Sequence, residues 1–262
     1  MSVTILSKVW LVCSMGFVLA LAASWACAGE EAYEARVFRD GEETLPYRLL
    51  VPAGYDPVES YPLVLFLHGA GERGEDNSAQ LKHVVSIFTT PENREQYPAF
   101  VVVPQCPAGV WWSEVDLSWE AQRFSPEPSR PLALVRKLLD ALEEEYSIDA
   151  DRRYVMGLSM GGFGTWDTLA RWPDHFAAGV PICGGADLAT AEKIAGIPVW
   201  VFHGARDPVV PVRLSRTMVE ALRAAGGEPR YTEYPEAGHD SWTPASQEPE
   251  LLPWLFAQRR GE

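Results

Sequence analysis

Short apolar runs bounded by glycine or proline alternate along this chain with amphipathic stretches. The clearest runs are Leu63–Leu67, Phe100–Val103, Tyr154–Met156, Ala178–Ile182 and Val199–Phe202. They are short and almost wholly apolar, as strands covered on both faces must be, and they predict a mainly parallel sheet. Thr44–Val51 alternates apolar with polar and reads as an antiparallel edge strand that Ala35–Phe38 can pair with; Arg230–Tyr234 is a late strand. Between the runs, Leu134, Val135, Leu138, Leu139 and Leu142 make a helical stripe within Leu132–Tyr146, with Pro131 near its start. Val212–Ala225, closed by Gly226-Gly227, and Glu248–Gln258 are further helices. Strands alternating with helices define an α/β domain in which helices cover a parallel sheet. The segment 104–131, rich in proline and tryptophan, is too long for a plain connector, and its aromatic content predicts an ordered loop.

The first 28 residues do not belong to this domain. Lys8 is followed by an apolar run from Val9 to Ala23 and then by Ala26-Cys27-Ala28 before Gly29, the pattern of a cleavable secretory signal. The run is shorter than the roughly 20 residues a spanning helix needs. Residues 29–262 then form a single domain, secreted or periplasmic, of a bacterial type. Composition agrees with a folded core, at 47% hydrophobic and 22% charged. The formal charge of -14 disfavours nucleic acid and anionic membrane surfaces as partners. It leaves a small-molecule or polysaccharide-linked substrate open and says nothing of oligomeric state.

The chemistry is concentrated where strands end. Gly157-Leu158-Ser159-Met160-Gly161 follows the run Tyr154–Met156 and precedes the helical pattern Phe163–Arg171, a G-x-S-x-G motif between strand and helix. A sharp turn there pushes the Ser159 hydroxyl out above the sheet. Glycines at 157 and 161 remove side chains that would collide, and the helix start behind the serine favours a developing oxyanion. A serine nucleophile needs a base. Of five histidines, only His239 follows Asp207, which lies in the loop His203-Gly204-Ala205-Arg206-Asp207-Pro208 after a strand. Ser159, Asp207 and His239 are therefore the expected nucleophile, orienting acid and base, with Asp187 as reserve acid. His68-Gly69-Ala70-Gly71 follows Leu63–Leu67 and supplies an N–H near Ala70 to pair with that of Met160 as an oxyanion hole. His68 and His203 are read as loop-holding, His83 and His175 as uninvolved, and Glu72, Arg73, Glu75 and Asp76 as a solvated polar loop.

This ordered set resembles the α/β-hydrolase superfamily, and within it small secreted serine carboxylesterases of the dienelactone-hydrolase-like, feruloyl or acetylxylan esterase and phospholipase/carboxylesterase group. The resemblance runs from about residue 35 to 258. Its carriers are Phe66–Gly74, Val103–Pro107 with Trp111-Trp112, the Ser159 motif, His203–Asp207 and Gly238–Trp242. It implies a mostly parallel sheet of about eight strands flanked by helices, no separate lid domain, hydrolysis through an acyl-enzyme, and neither metal nor organic cofactor. Ser159 departs from the cysteine nucleophile of true dienelactone hydrolases, which argues against their reaction. In the superfamily's strand order, the strands before Cys106 and Cys183 lie three places apart, roughly 14 Å at ~4.8 Å per strand. A disulfide needs Cα atoms about 4.4–6.8 Å apart, so both thiols are expected to be free.

Substrate choice is less legible. Trp111, Trp112 and Trp119 lie in the long loop, and Trp242 is three residues past His239. Both loops emerge beyond the carboxyl ends of strands, where open α/β sheets bind ligands. Trp111, Trp112 and Trp242 are candidate walls for a sugar or cinnamoyl group, and Gln105 a candidate hydrogen-bond donor. A prolyl-oligopeptidase-type peptidase, a polyester depolymerase and a non-catalytic carbohydrate-binding module are the competing readings.

Overall fold

The computed structural model of the chain describes residues 31–115 and 122–261. The expected leader, residues 1–28, and Trp119 lie outside them. The strands are β1 Glu34–Asp40, β2 Glu43–Leu50, β3 Tyr61–Leu67, β4 Phe100–Pro104, β5 Ile148–Leu158, β6 Ala178–Ile182, β7 Trp200–Gly204 and β8 Arg230–Tyr234. The helices are α1 Pro91–Gln96, α2 Arg130–Glu145, α3 Met160–Arg171, α4 Ala191–Ile194, α5 Arg213–Ala224, α6 Trp242–Ser246 and α7 Leu251–Ala257. All eight strands join one sheet in the order β1-β2-β4-β3-β5-β6-β7-β8. β1 and β2 are antiparallel to their neighbours, and every pairing from β4 to β8 is parallel.

The apolar runs sort onto two faces by the two-residue period of a strand. Leu63, Leu65 and Leu67 of β3 join Leu134, Leu138 and Leu142 of α2 in one core layer, with Trp166 and Leu169 of α3 and Met218 and Leu222 of α5. Val64 and Phe66 point the other way, toward Phe88 and toward Leu251 and Leu255 of α7. Helix α2 starts where Ser129 accepts the Leu132 N–H on its hydroxyl and Pro131 occupies the first turn. Gly226, at φ +88°, follows the end of α5 in the left-handed region.

Two sequence expectations are corrected. The alternating strand β2 is not an edge: β1 covers one side and β4 the other. Its alternation arises because Leu45, Tyr47 and Leu49 face the α2 layer, while Arg48 on the opposite face reaches the carbonyls of Asn77 and Tyr33. Alternation reports unequal cover on two faces and carries no information about free strand edges. Strand β5 begins at Ile148, six residues before the apolar run. Its polar first half is held by Arg152–Asp149 and Arg260–Asp151 ion pairs and by pairing of Ile148 with Tyr61.

Because β3, β5, β7 and β8 run parallel, their carboxyl ends converge on one rim. The segments following them carry Ala70, Ser159, Asp207 and His239.

Candidate active site

The turn from β5 to α3 is tight enough to exclude side chains. A Cβ on Gly161 would sit 1.8 Å from the carbonyl oxygen of Leu67, and one on Gly157 would sit 2.3 Å from that of Gly161. The same contact packs the end of β3 against the first turn of α3. Ser159 itself is held at φ +52°, ψ -116°, with its N–H bonded to the Ile182 carbonyl of β6 at 2.9 Å. A side chain held in this region costs on the order of 1–3 kcal/mol, which the surrounding sheet and helix must supply.

His239 Nε2 lies 2.9 Å from Ser159 Oγ, and His239 Nδ1 lies 2.7 Å from Asp207 Oδ2. An ionised carboxylate can only accept, so Nδ1–H donates to Asp207 and the Nε2 lone pair faces the serine hydroxyl. The Asp207 side chain has no solvent exposure, whereas that of His239 keeps 20%. Burial opposes ionisation of Asp207, but hydrogen bonds from His203, His239 and the N–H groups of Val210 and Val209 outweigh it. They hold its carboxyl well below the usual carboxylate range. His203, read from sequence as loop packing, is wholly buried, with Nε2 3.3 Å from Asp207 Oδ2 and Nδ1 2.7 Å from Ser215 Oγ. It meets the same carboxylate oxygen as His239, while the other oxygen accepts from Val209 and Val210. The reserve acid Asp187 is committed elsewhere: its carboxylate accepts from Arg123, Phe124 N–H and Ala189 N–H.

Ala70 and Met160 open their respective turns, and neither N–H finds an acceptor among the described residues. The Ala70 loop is fixed by His68. Its Nδ1–H donates to the Gly69 carbonyl at 2.7 Å and its Nε2 accepts the Cys106 N–H at 2.9 Å. The neutral ring satisfies both contacts, and burial pushes its pKa down to about 4. His175, expected to be uninvolved, is likewise buried, and burial with Arg153, Arg136 and Arg260 pushes it down to about 3. An unfolded histidine titrates near 6.5, so between pH 6.5 and 4 the unfolded chain gains protons that the native chain refuses. Stability is expected to fall through that window, by about 2–5 kcal/mol at pH 4.5 relative to pH 7. Carboxylates held low, such as Asp207, lose their contribution only below it. Urea midpoints at pH 7, 5.5 and 4.5 check this; equal midpoints at all three values would refute it.

Of the expected substrate contacts, the structure removes two from the cleft. Gln105 is fully buried; its Oε1 accepts the Asn77 N–H and its Nε2 donates to the Glu72 carbonyl, so it braces the Ala70 loop. Trp112 is also fully buried, with its indole N–H on the His68 carbonyl at 3.0 Å, and packs edge-on against the His68 ring. Each lies beneath the loop because its polar atom satisfies backbone that the loop would otherwise leave unpaired. Trp111 is half-buried, with the Arg73 guanidinium over its ring, and Arg73 also donates to the Ala70 carbonyl. Trp242 stands against His239, ring centroids 5.3 Å apart and planes at 89°. Behind it the sequence reading missed His83 and Glu72. The His83 ring is 5.4 Å from that of Trp242, and its Nε2 is 3.6 Å from the carboxylate of Glu72, which is buried rather than solvated. Their only signal in the sequence is proximity to the His68 loop.

Cys106 and Cys183 are both free and buried. Burial pushes the Cys183 thiol up to about 12, so it is neutral. Among the described residues, no helix is long and apolar enough to cross a membrane.

The chain and its fold have relatives among known proteins. Residues 55–248 match the family model described as phospholipase/carboxylesterase. A probable carboxylesterase of Oryza sativa subsp. japonica is 27% identical over 201 residues, covering 71% of this chain and 84% of the relative. A probable feruloyl esterase C of Aspergillus terreus is 25% identical over 211 residues, covering 79% and 72%. The crystal structure of a thermostable esterase superposes with a TM-score of 0.80 at 43% identity, over 88% of this chain but only 64% of that longer one.

Proposed function

This chain belongs to the phospholipase/carboxylesterase family of α/β-hydrolases and is a carboxylic ester hydrolase; we propose that it works through Ser159, His239 and Asp207 and acts, after export, on feruloyl or acetyl esters linked to plant polysaccharide. The observation that carries the catalytic reading is the unbroken path Ser159 Oγ–His239–Asp207, at 2.9 and 2.7 Å. His239 Nε2 takes the serine proton as Oγ attacks the ester carbonyl carbon. The imidazolium so formed sits against the ionised, buried Asp207. Negative charge moving onto the carbonyl oxygen meets the N–H groups of Ala70 and Met160. As the tetrahedral intermediate collapses, His239 returns the proton to the departing alcohol oxygen, leaving Ser159 acylated. Water then repeats the sequence with His239 as base, releasing the acid.

The substrate class rests on the aromatic rim. Trp242, half-buried beside the base, offers the aromatic surface that buries a cinnamoyl or sugar ring at low entropic cost, whereas one face of Trp111 is taken by Arg73. The feruloyl esterase relative agrees with this choice. Export rests on the pattern of residues 1–28.

The test is a set of initial rates on methyl ferulate, p-nitrophenyl acetate and a prolyl-peptide anilide, each corrected with a Ser159→Ala blank. The protein is recovered from the exported fraction, with its amino terminus expected at Gly29. Both esters are expected to react and the anilide to stay intact. Trp242→Ala should raise KM for methyl ferulate about 3- to 10-fold, the value of one aromatic contact, and that for the acetate by less than about 2-fold. Cleavage of the anilide alone would replace the ester reading with a peptidase. Equal effects of Trp242→Ala on both esters would remove the aromatic subsite. Protein retained in the cytoplasm with residues 1–28 attached would remove export.

A further inference from the structure

One buried thiol at the active site takes no part in the mechanism above. Cys183 follows β6 with φ +41°, a conformation that residues other than glycine seldom adopt, and its N–H is fixed to the Phe202 carbonyl of β7 at 2.8 Å. The turn swings its thiol beneath the catalytic pair. Cys183 Sγ, a carboxylate oxygen of Asp207 and a ring nitrogen of His239 all lie within 4.8 Å of one another. Beside the thiol, the Ser241 hydroxyl is wholly buried and finds no well-formed hydrogen bond. A buried thiol thus stands against the Asp207–His239 pair, with the Ser241 hydroxyl at its side.

We propose that Cys183, Asp207 and His239 form a latent site for one thiophilic divalent cation, zinc or cadmium, whose binding switches the hydrolase off. The inference rests on the catalytic reading of Asp207 and His239. Sulfur, imidazole nitrogen and carboxylate oxygen are the donors zinc takes, at about 2.3, 2.0–2.1 and 2.0–2.2 Å. Three atoms no more than 4.8 Å apart have a common point within about 2.8 Å of each, so the site closes with shifts of less than about an ångström. His239, exposed at its edge to the cleft, is the way in. On binding, the thiol gives its proton to solvent. Thiolate and carboxylate together balance the ion's two charges, so the buried cluster is neutral. Taken at Nδ1, the nitrogen facing Asp207, the ion displaces the ring proton to Nε2. That nitrogen then has no lone pair for the Ser159 proton, and the base is lost.

Cadmium alone is titrated into the folded full-length protein and into its Ser159→Ala, Cys183→Ala, Cys106→Ala and His239→Ala variants. The parent, Ser159→Ala and Cys106→Ala are expected to develop a saturable ultraviolet thiolate-to-cadmium absorption at one equivalent. Cys183→Ala should lack it, and His239→Ala, which keeps the thiol, should need at least about tenfold more cadmium. Ester hydrolysis by the parent should fall with the same midpoint and recover on chelation. Cys183→Ala, relative to its own metal-free rate, should need at least about tenfold more cadmium for the same loss. Absorption that survives in Cys183→Ala, or equal inhibition of that variant and the parent, would overturn the site. If Cys183→Ala fails to fold, the His239→Ala arm decides: unchanged affinity there overturns the proposal. The absorption arm needs no turnover, so an active Ser159→Ala protein would defeat the catalytic reading without touching the binding result.

Discussion

Ser159→Ala is expected to lower kcat for a carboxylic ester about a millionfold while leaving the fold intact. The scale is that found when the nucleophile of another serine hydrolase is removed, where the residual rate comes from binding and the oxyanion donors. Here the hydroxyl is the atom to which the proton path from His239 leads, and no neighbouring group stands in for it: Cys183 is neutral and wholly buried. Alanine at φ +52° carries the same backbone strain as serine, so a stability change within about 1 kcal/mol is expected. Initial rates and urea midpoints on the same preparations check both parts. Residual activity above about one hundredth of the parent's would remove Ser159 from the role of nucleophile. A loss of activity accompanied by a collapsed midpoint would show only that the elbow had unfolded.

Asp207→Asn is the second large effect, about a ten-thousandfold loss in kcat, by comparison with the equivalent change in the serine protease triad. The reason is the tautomer. Asparagine can turn its amide N–H toward His239 Nδ1, and the ring then carries its proton on Nε2, facing Ser159 with nothing to accept. The oxygen left to asparagine still accepts from Val209 and Val210, so the loop is kept. Asp187→Asn is the control. Its carboxylate serves Arg123, Phe124 and Ala189, and the variant should lose less than about 3-fold in kcat. Equal losses in the two variants would mean that Asp207 is not the orienting acid.

The residues of the proposed proton path were placed from sequence because each follows a strand that the apolar runs already mark, in an order that leaves one histidine after the acid, and the structure brings the three together. The sheet was legible for the same reason: β6 and β8 match their sequence runs residue for residue. Contacts across the fold were not. Gln105 and Trp112 look like cleft residues because they flank a motif, and only the burial of Gln105 on the Glu72 carbonyl and of Trp112 on that of His68, 33 and 44 positions away in the chain, turns them into braces. The early half of β5 was invisible because ion pairs, not apolar side chains, hold it. Glu72 read as solvated because a charge in a polar run says nothing of the histidine that will pair with it. Cys183 gave no hint of its neighbours, since a single left-handed turn decides where its sulfur points.

The bracing of the Ala70 loop has a wider consequence. Gln105, Cys106 and Trp112 hold it from the root of the long 104–131 segment, and Ser129 closes that root by donating to the Trp112 carbonyl. Beyond the root, its described residues Ser113, Arg123 and Ser125 are tied back by other means, to Asp167, Asp187 and Arg171 of α3 and the β6 loop. The Ala70 loop and the described outer residues of the segment thus hang from separate attachments. A lineage can lengthen or rewrite the outer portion and meet new esters without disturbing the proposed oxyanion donors. The architecture is modular at the scale of a single loop, and an engineer seeking a new specificity would graft between residues 113 and 128 and leave the stem alone.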